Sequence, residues 1–164
     1  MHNQNNTKLW SNKNITIINK IIKLYIPMLY PYFNHYTKTT STLCGGYAMP
    51  PLEYLLAVDV LCMNKEYIAD TTLGLMDIQS GVIVLATKNR TIKEVVLTLM
   101  HELMHTIQYY NYEGMLQRVY NEQQRLNGYS NNALEIEART VTWDLEAEWC
   151  IGIGDTFEQI FLSL

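Results

Sequence analysis

Several classes of protein are ruled against by what this 164-residue chain has little of. It carries three cysteines, Cys44, Cys62 and Cys150, scattered and odd in number. None belongs to a C-x-x-C pair, which argues against a thiolate zinc site and against a disulfide framework. Reduced, buried thiols in an intracellular, cytoplasmic protein are the expectation. No run of eighteen or more apolar residues occurs, so neither a transmembrane helix nor any membrane partner is expected. The apolar segment Ile15 to Tyr30 is interrupted by Lys20 and Lys23 and has no small-residue cleavage site, so it does not read as a signal peptide. A basic excess is also missing. Twelve basic side chains against sixteen acidic ones give a net charge of -4, which argues against a nucleic-acid partner.

What is present suits one folded domain. The chain is 48% hydrophobic and 17% charged, enough apolar surface to close a core at this length. Asn, Ile, Lys and Tyr are abundant, as in proteins from AT-rich genomes, viral or low-GC bacterial. Residues Met1 to Asn14 are polar and read as a flexible tail, leaving 15–164 as a single domain. From Ile15, apolar residues at Ile18, Ile21, Ile22, Tyr25 and Met28 predict a helix that Pro27 and Pro31 bend or end. Cys44-Gly45-Gly46 and Pro50-Pro51 mark a loop. Three strand-like runs follow, Tyr54 to Met63, Tyr67 to Met76 and Gly81 to Thr87, the first two forming a hairpin at Asn64-Lys65-Glu66. Thr91 and Glu94 have capping-box spacing ahead of a long helix reaching about Tyr110. A short helix is expected near Leu116 to Leu126. Asn132 then caps a helix from Ala133 to about Trp149, with Leu134, Ala138, Val141, Leu145 and Trp149 as its apolar stripe. Gly152 and Gly154 end it, and Phe157 to Leu164 forms a last short helix.

The chemistry concentrates at His101-Glu102-Leu103-Met104-His105, an H-E-x-x-H motif. Residues i and i+4 of a helix lie about 40° apart around its axis, so the two imidazoles can share one metal ion. Glu102 flanks that face, within reach of a water on the metal, as a general base requires. Gln108 and Tyr112 continue the same face. Ile92, Val96, Leu99, Leu103 and Tyr110 form the opposite face, expected to pack on the sheet. With four histidines in the chain, chance placement of the motif is on the order of 0.006. Two histidines and a glutamate on so apolar a helix would be costly to bury without partners, which a divalent metal or a core polar network could supply.

Thr98-Leu99-Met100-His101-Glu102-Leu103-Met104-His105-Thr106-Ile107 resembles the extended zincin metallopeptidase signature at all ten positions. The resemblance implies an α+β fold with a minimal zincin-like core. It would comprise an N-terminal helix, a small mostly antiparallel sheet, the H-E-x-x-H helix and a C-terminal helix bearing the third ligand. It implies a Zn2+ cofactor held by His101, His105 and a third residue. Asn111 stands where metzincins have their third histidine, and Gln108 stands where they have glycine, so that subclass is excluded. His2 and His35 read as non-ligands. Glu135-Ile136-Glu137-Ala138 resembles the third-ligand segment of gluzincins and of small phage and regulatory zincins. On that likeness Glu135 is the ligand and Glu137 an outer or surface residue. The helical pattern alone puts the two on opposite shoulders of the apolar stripe, and Glu135 also occupies the capping-box position relative to Asn132. Arg139 replaces the Asp found in several gluzincins, and Thr142 or Glu146 could take over its role.

The function implied is hydrolysis of a peptide bond in a protein or peptide substrate, with Glu102 as the catalytic base. The alternative is a zincin-fold binding or structural module, viral or regulatory, with little catalysis. Tyr47, Tyr109, Tyr110, Tyr112, Tyr120 and Tyr129 are all available as oxyanion donors. Gly81 to Thr87 is the expected edge strand for an extended peptide.

Overall fold

The computed structural model of the chain describes residues 15–39 and 46–162. The expected tail and the Cys44-Gly45 part of the first loop lie outside the described residues. The fold is α+β, helices surrounding one small sheet. No helix among the described residues is long and apolar enough to cross a membrane.

Helix α1 (Ile15–Ile21) passes through one 3-10 turn, Ile22–Tyr25, into α2 (Ile26–Thr39). The expected apolar stripe is buried at Ile18, Ile21, Ile22 and Tyr25. The break falls in the 3-10 turn and not at Pro31, which sits inside α2. An interior proline costs a helix about 3 kcal/mol. Leu29 and Phe33, fully buried on either side of it, each contribute about 1.5–3 kcal/mol and hold the helix through the proline.

The three strand-like runs shrink to their C-terminal parts. Short helix α3 (Leu52–Leu56) takes the start of the first, leaving β1 (Val60–Met63), β2 (Gly74–Met76) and β3 (Ile83–Ala86). The sheet order is β1-β3-β2. β1 runs parallel to β3, with Val60 opposite Ile83, and β2 runs antiparallel to it, with Leu75 opposite Val84. The expected β1–β2 hairpin is therefore not formed, and the sheet is mixed, with one pairing of each kind. The expected edge strand, Gly81 to Thr87, contains the central strand. Its burial fits a place inside the core: Ile83, Leu85 and Ala86 are fully buried and Val84 partly so.

Helix α4 (Ile92–Tyr112) is the spine of the molecule. Its capping box forms as the spacing predicts: Glu94 N–H donates to Thr91 Oγ1 at 3.1 Å and Thr91 N–H to Glu94 Oε1 at 3.0 Å. The buried Arg90 guanidinium donates to Ala86 O, Glu94 O and Thr98 Oγ1, tying the end of β3 to the first turns of α4. Ile92, Val96, Leu99 and Leu103 are fully buried, and α4 packs on both β2 and β3.

After a 3-10 turn, α5 (Leu116–Asn127) matches the expected short helix. Asn132 caps α6 (Ala133–Thr140) through Leu134 N–H. The expected continuous helix to Trp149 is interrupted, because α7 (Trp143–Glu148) begins anew after Val141 and Thr142. The β-branched run Thr140-Val141-Thr142 explains the interruption. Thr140 Oγ1 donates to Ile136 O and Thr142 Oγ1 to Arg139 O, and such local bonds compete with the helix ladder. The stripe residues Leu134, Ala138, Val141, Leu145 and Trp149 are nonetheless all buried. Trp149–Ile153 forms a π-type turn, with Gly152 at a φ of 131°, before α8 (Gly154–Leu162).

Candidate metal centre

His101 and His105 lie one turn apart near the middle of α4, their ring centroids 5.1 Å apart and nearly perpendicular. α6 packs against this stretch and brings Glu135, in its first turn, between them. Glu135 Oε1 is 3.0 Å from His101 Nε2 and 3.2 Å from His105 Nε2. One ligand atom from each of the three residues lies within 4.8 Å of the others, so the group could hold a metal ion. The donor set, two imidazole nitrogens and a carboxylate oxygen, is one that suits zinc.

The capping-box role of Glu135 is not realised. Asn132 Oδ1 caps Leu134 N–H alone, and the Glu135 carboxylate turns to the histidines and to Tyr120, whose hydroxyl donates to Oε2 at 2.6 Å. Burial opposes the charge on Glu135, but the bonds from His101, His105 and Tyr120 outweigh it and hold the carboxyl well below the usual range. Burial likewise disfavours a charged His105, yet Glu135 and Glu102 lift its imidazole to about 8. A metal ion would displace the protons that these bonds now carry.

Glu102 occupies a different position. It is buried between α4 and β2, where the Met76 N–H reaches its carboxylate. Burial raises its carboxyl above the ordinary value despite the two nearby histidines. β2 can come this close because residue 74 is glycine. A Cβ there would lie 2.5 Å from Thr98 Cγ2 and 3.3 Å from Glu102 Oε2.

The three-residue group opens on a cavity of about 390 Å3 whose walls include Met76, Ile78 and Leu116. A second groove meets it at His101 and Glu102 and runs on past Thr72 to Trp143. Thr142 and Glu146 line this groove, but Thr142 donates to Arg139 O, and no hydrogen bond joins Glu146 to either histidine among the described residues. Neither is therefore bonded to the histidines. Of the six candidate tyrosines, only Tyr120 and Tyr129 line the cavity. Tyr109 faces a separate groove, Tyr110 packs on Tyr54, and Tyr47 and Tyr112 pack on each other behind the site. His35 is exposed on α2, outside the group, and His2 lies outside the described residues.

Glu137 is buried but stands away from the group. It accepts from Gln108 Nε2 at 2.9 Å and from the Tyr47 hydroxyl at 2.5 Å. Gln108 in turn places its Oε1 2.8 Å from His105 Nδ1. Gln108 was legible as lying on the histidine face, three residues beyond His105, but no local pattern linked it to a residue on α6. Comparison of the chain with known protein families, with curated proteins and with solved structures finds no match.

Proposed function

We propose that the chain is a zinc-dependent, zincin-like metallopeptidase that hydrolyses a peptide bond in a protein or peptide. One observation carries this reading. Glu102 is held beside the His101, His105 and Glu135 group without being part of it, on the wall of the same cavity. A site that only held a metal would have no use for a fourth, separately anchored carboxylate with a raised pKa.

A zinc ion held by the three residues would lower the pKa of a water molecule and polarise the scissile carbonyl. Glu102 takes the proton from the attacking water and delivers it to the leaving amine. Its raised carboxyl makes it a stronger base than an exposed glutamate. Tyr129 lines both grooves and lies within electrostatic reach of Glu102 and Glu135, so it is the tyrosine placed to donate to the developing oxyanion. Tyr120 is committed to Glu135 and orients that carboxylate.

The strand that receives an extended substrate is β2, which is an edge of the sheet beside the cavity, in place of Gly81 to Thr87. Ala86 N–H donates to Leu73 O and Asp77 N–H to Val82 O, so the odd-numbered residues of this stretch face β3. Alternation then turns the backbone groups of Gly74 and Met76 toward the site. Met76 N–H anchors Glu102, which leaves Gly74 to pair with a peptide by strand addition.

Metal analysis of the purified chain tests the first half of this reading, with one zinc per chain expected and its loss on His101→Ala. Incubation with unstructured protein substrates tests the second. Cleavage by the wild type that Glu102→Gln abolishes supports the enzyme. Zinc binding with equal behaviour of both would leave a zincin-like binding module instead.

A further inference from the structure

Behind His105 the structure holds a chain of buried polar groups. Gln108 is fully buried, and Glu137 and Tyr47 are 6% and 7% exposed. A glutamine side chain can be turned over to exchange its oxygen and nitrogen, so its orientation has to be argued from its partners. Here those partners leave one choice. Gln108 Nε2 lies 3.0 Å from Leu134 O and 2.9 Å from Glu137 Oε1, both of which only accept. Turned over, Gln108 would set its oxygen against two acceptors in a buried site, where each unmade bond is costly. Its Oε1 must therefore face His105 Nδ1, and that nitrogen must carry a proton.

We infer that Gln108 and Glu137 are positioning residues that fix His105 as the Nδ1–H tautomer and so present Nε2 to the metal. Glu137 sets the orientation of the Gln108 amide, and the amide oxygen sets the imidazole. Tyr47 donates its hydroxyl to the same Glu137 oxygen and holds that carboxylate in place. The chain crosses three segments, from the loop carrying Tyr47 through α6 to α4, and ends on the ring that reaches Glu135. Zinc-bound histidines elsewhere are oriented in this way by an acceptor on the second ring nitrogen. The inference rests on the metal-site reading given above, but the Nδ1 proton it assigns is measurable without metal.

Long-range proton–nitrogen correlation spectra of the 15N-histidine-labelled full chain test it. Recorded metal-free, and again with zinc, His105 is expected to carry a proton on Nδ1 in both, with a second proton on Nε2 toward Glu135 only while the metal is absent. An Nδ1 without a proton in the metal-free protein, or zinc on Nδ1, overturns the assignment while leaving zinc binding itself intact. No zinc uptake together with an Nδ1 proton would sink the metal reading and uphold the tautomer. Gln108→Leu is expected to weaken zinc affinity about 10–100-fold. A folded Gln108→Leu variant that holds zinc as tightly as the wild type would overturn the inference. Should Gln108→Leu not fold, the wild-type spectrum still decides it.

Discussion

The front and the back of the α4–α6 interface are built from the same materials and do different things. On the front, Glu135 meets two histidines at the wall of a cavity. On the back, Glu137 meets Gln108 and Tyr47 away from the cavity. The two glutamates are two residues apart on one helix and equally buried, at 5% and 6%. Their environments differ in what they offer. The front supplies exchangeable protons on imidazole nitrogens, which a metal can replace. The back supplies amide and hydroxyl protons, which it cannot. The first region reads as chemistry and the second as scaffold, and His105 is the residue shared between them.

Substitutions should separate the two regions. The largest effect is expected from Glu135→Gln, which should reduce zinc from one per chain to none while the fold persists; retained zinc would mean that the front is not the metal site. Glu137→Leu should do the reverse. It leaves the Tyr47 hydroxyl and part of the Gln108 amide without their acceptor, at about 1–3 kcal/mol for each buried group, read as a lower urea midpoint. A variant as stable as the wild type would refute the scaffold role.

Gly74→Ala strikes the front only. Its Cβ must displace Thr98 or β2, and a loss of roughly 1–3 kcal/mol is expected, with the His105 Nδ1 proton signal unchanged. The pH dependence of the metal-free protein probes the residue common to both regions. His105 is raised from 6.5 to about 8 in the folded state, so folding binds its proton more tightly. The stabilisation is complete below pH 6.5 and is lost as pH rises through about 8. It should amount to on the order of 1–2 kcal/mol in chelator-treated protein, and a flat profile across that window would contradict the His105–Glu135 contact. The smallest effect belongs to Thr91→Ala, far from both regions, at about 1 kcal/mol by thermal melting, with zinc uptake unaffected.

The residues that were legible in the chain are those whose partners are near in sequence. The H-E-x-x-H face, the Thr91–Glu94 box and the Asn132 cap all close within four residues, so helical geometry alone predicts them. The buried stripe from Leu134 to Trp149 survives even though its helix is broken at Thr142, because burial follows spacing more robustly than hydrogen bonding does. The sheet was legible in content and not in order. Three short apolar runs predict three strands, but which one lies centrally depends on pairings between residues more than twenty positions apart. The full burial of Ile83, Leu85 and Ala86 is the signature of a central strand, and the unbroken apolar run Ile83-Val84-Leu85-Ala86 was its trace in the sequence.

By itself, then, the sequence determined a pair of imidazoles one turn apart, a glutamate beside them and a capped helix to carry them, since each follows from the fixed 3.6-residue period of the α-helix. Only the tertiary structure decided which glutamate of α6 meets the histidines, which strand borders the site, and that Gln108 and Glu137 stand behind His105. Those choices turn on how α6 and β2 cross α4, a packing angle and depth set by the whole core and, at β2, by the absence of a single side chain at Gly74.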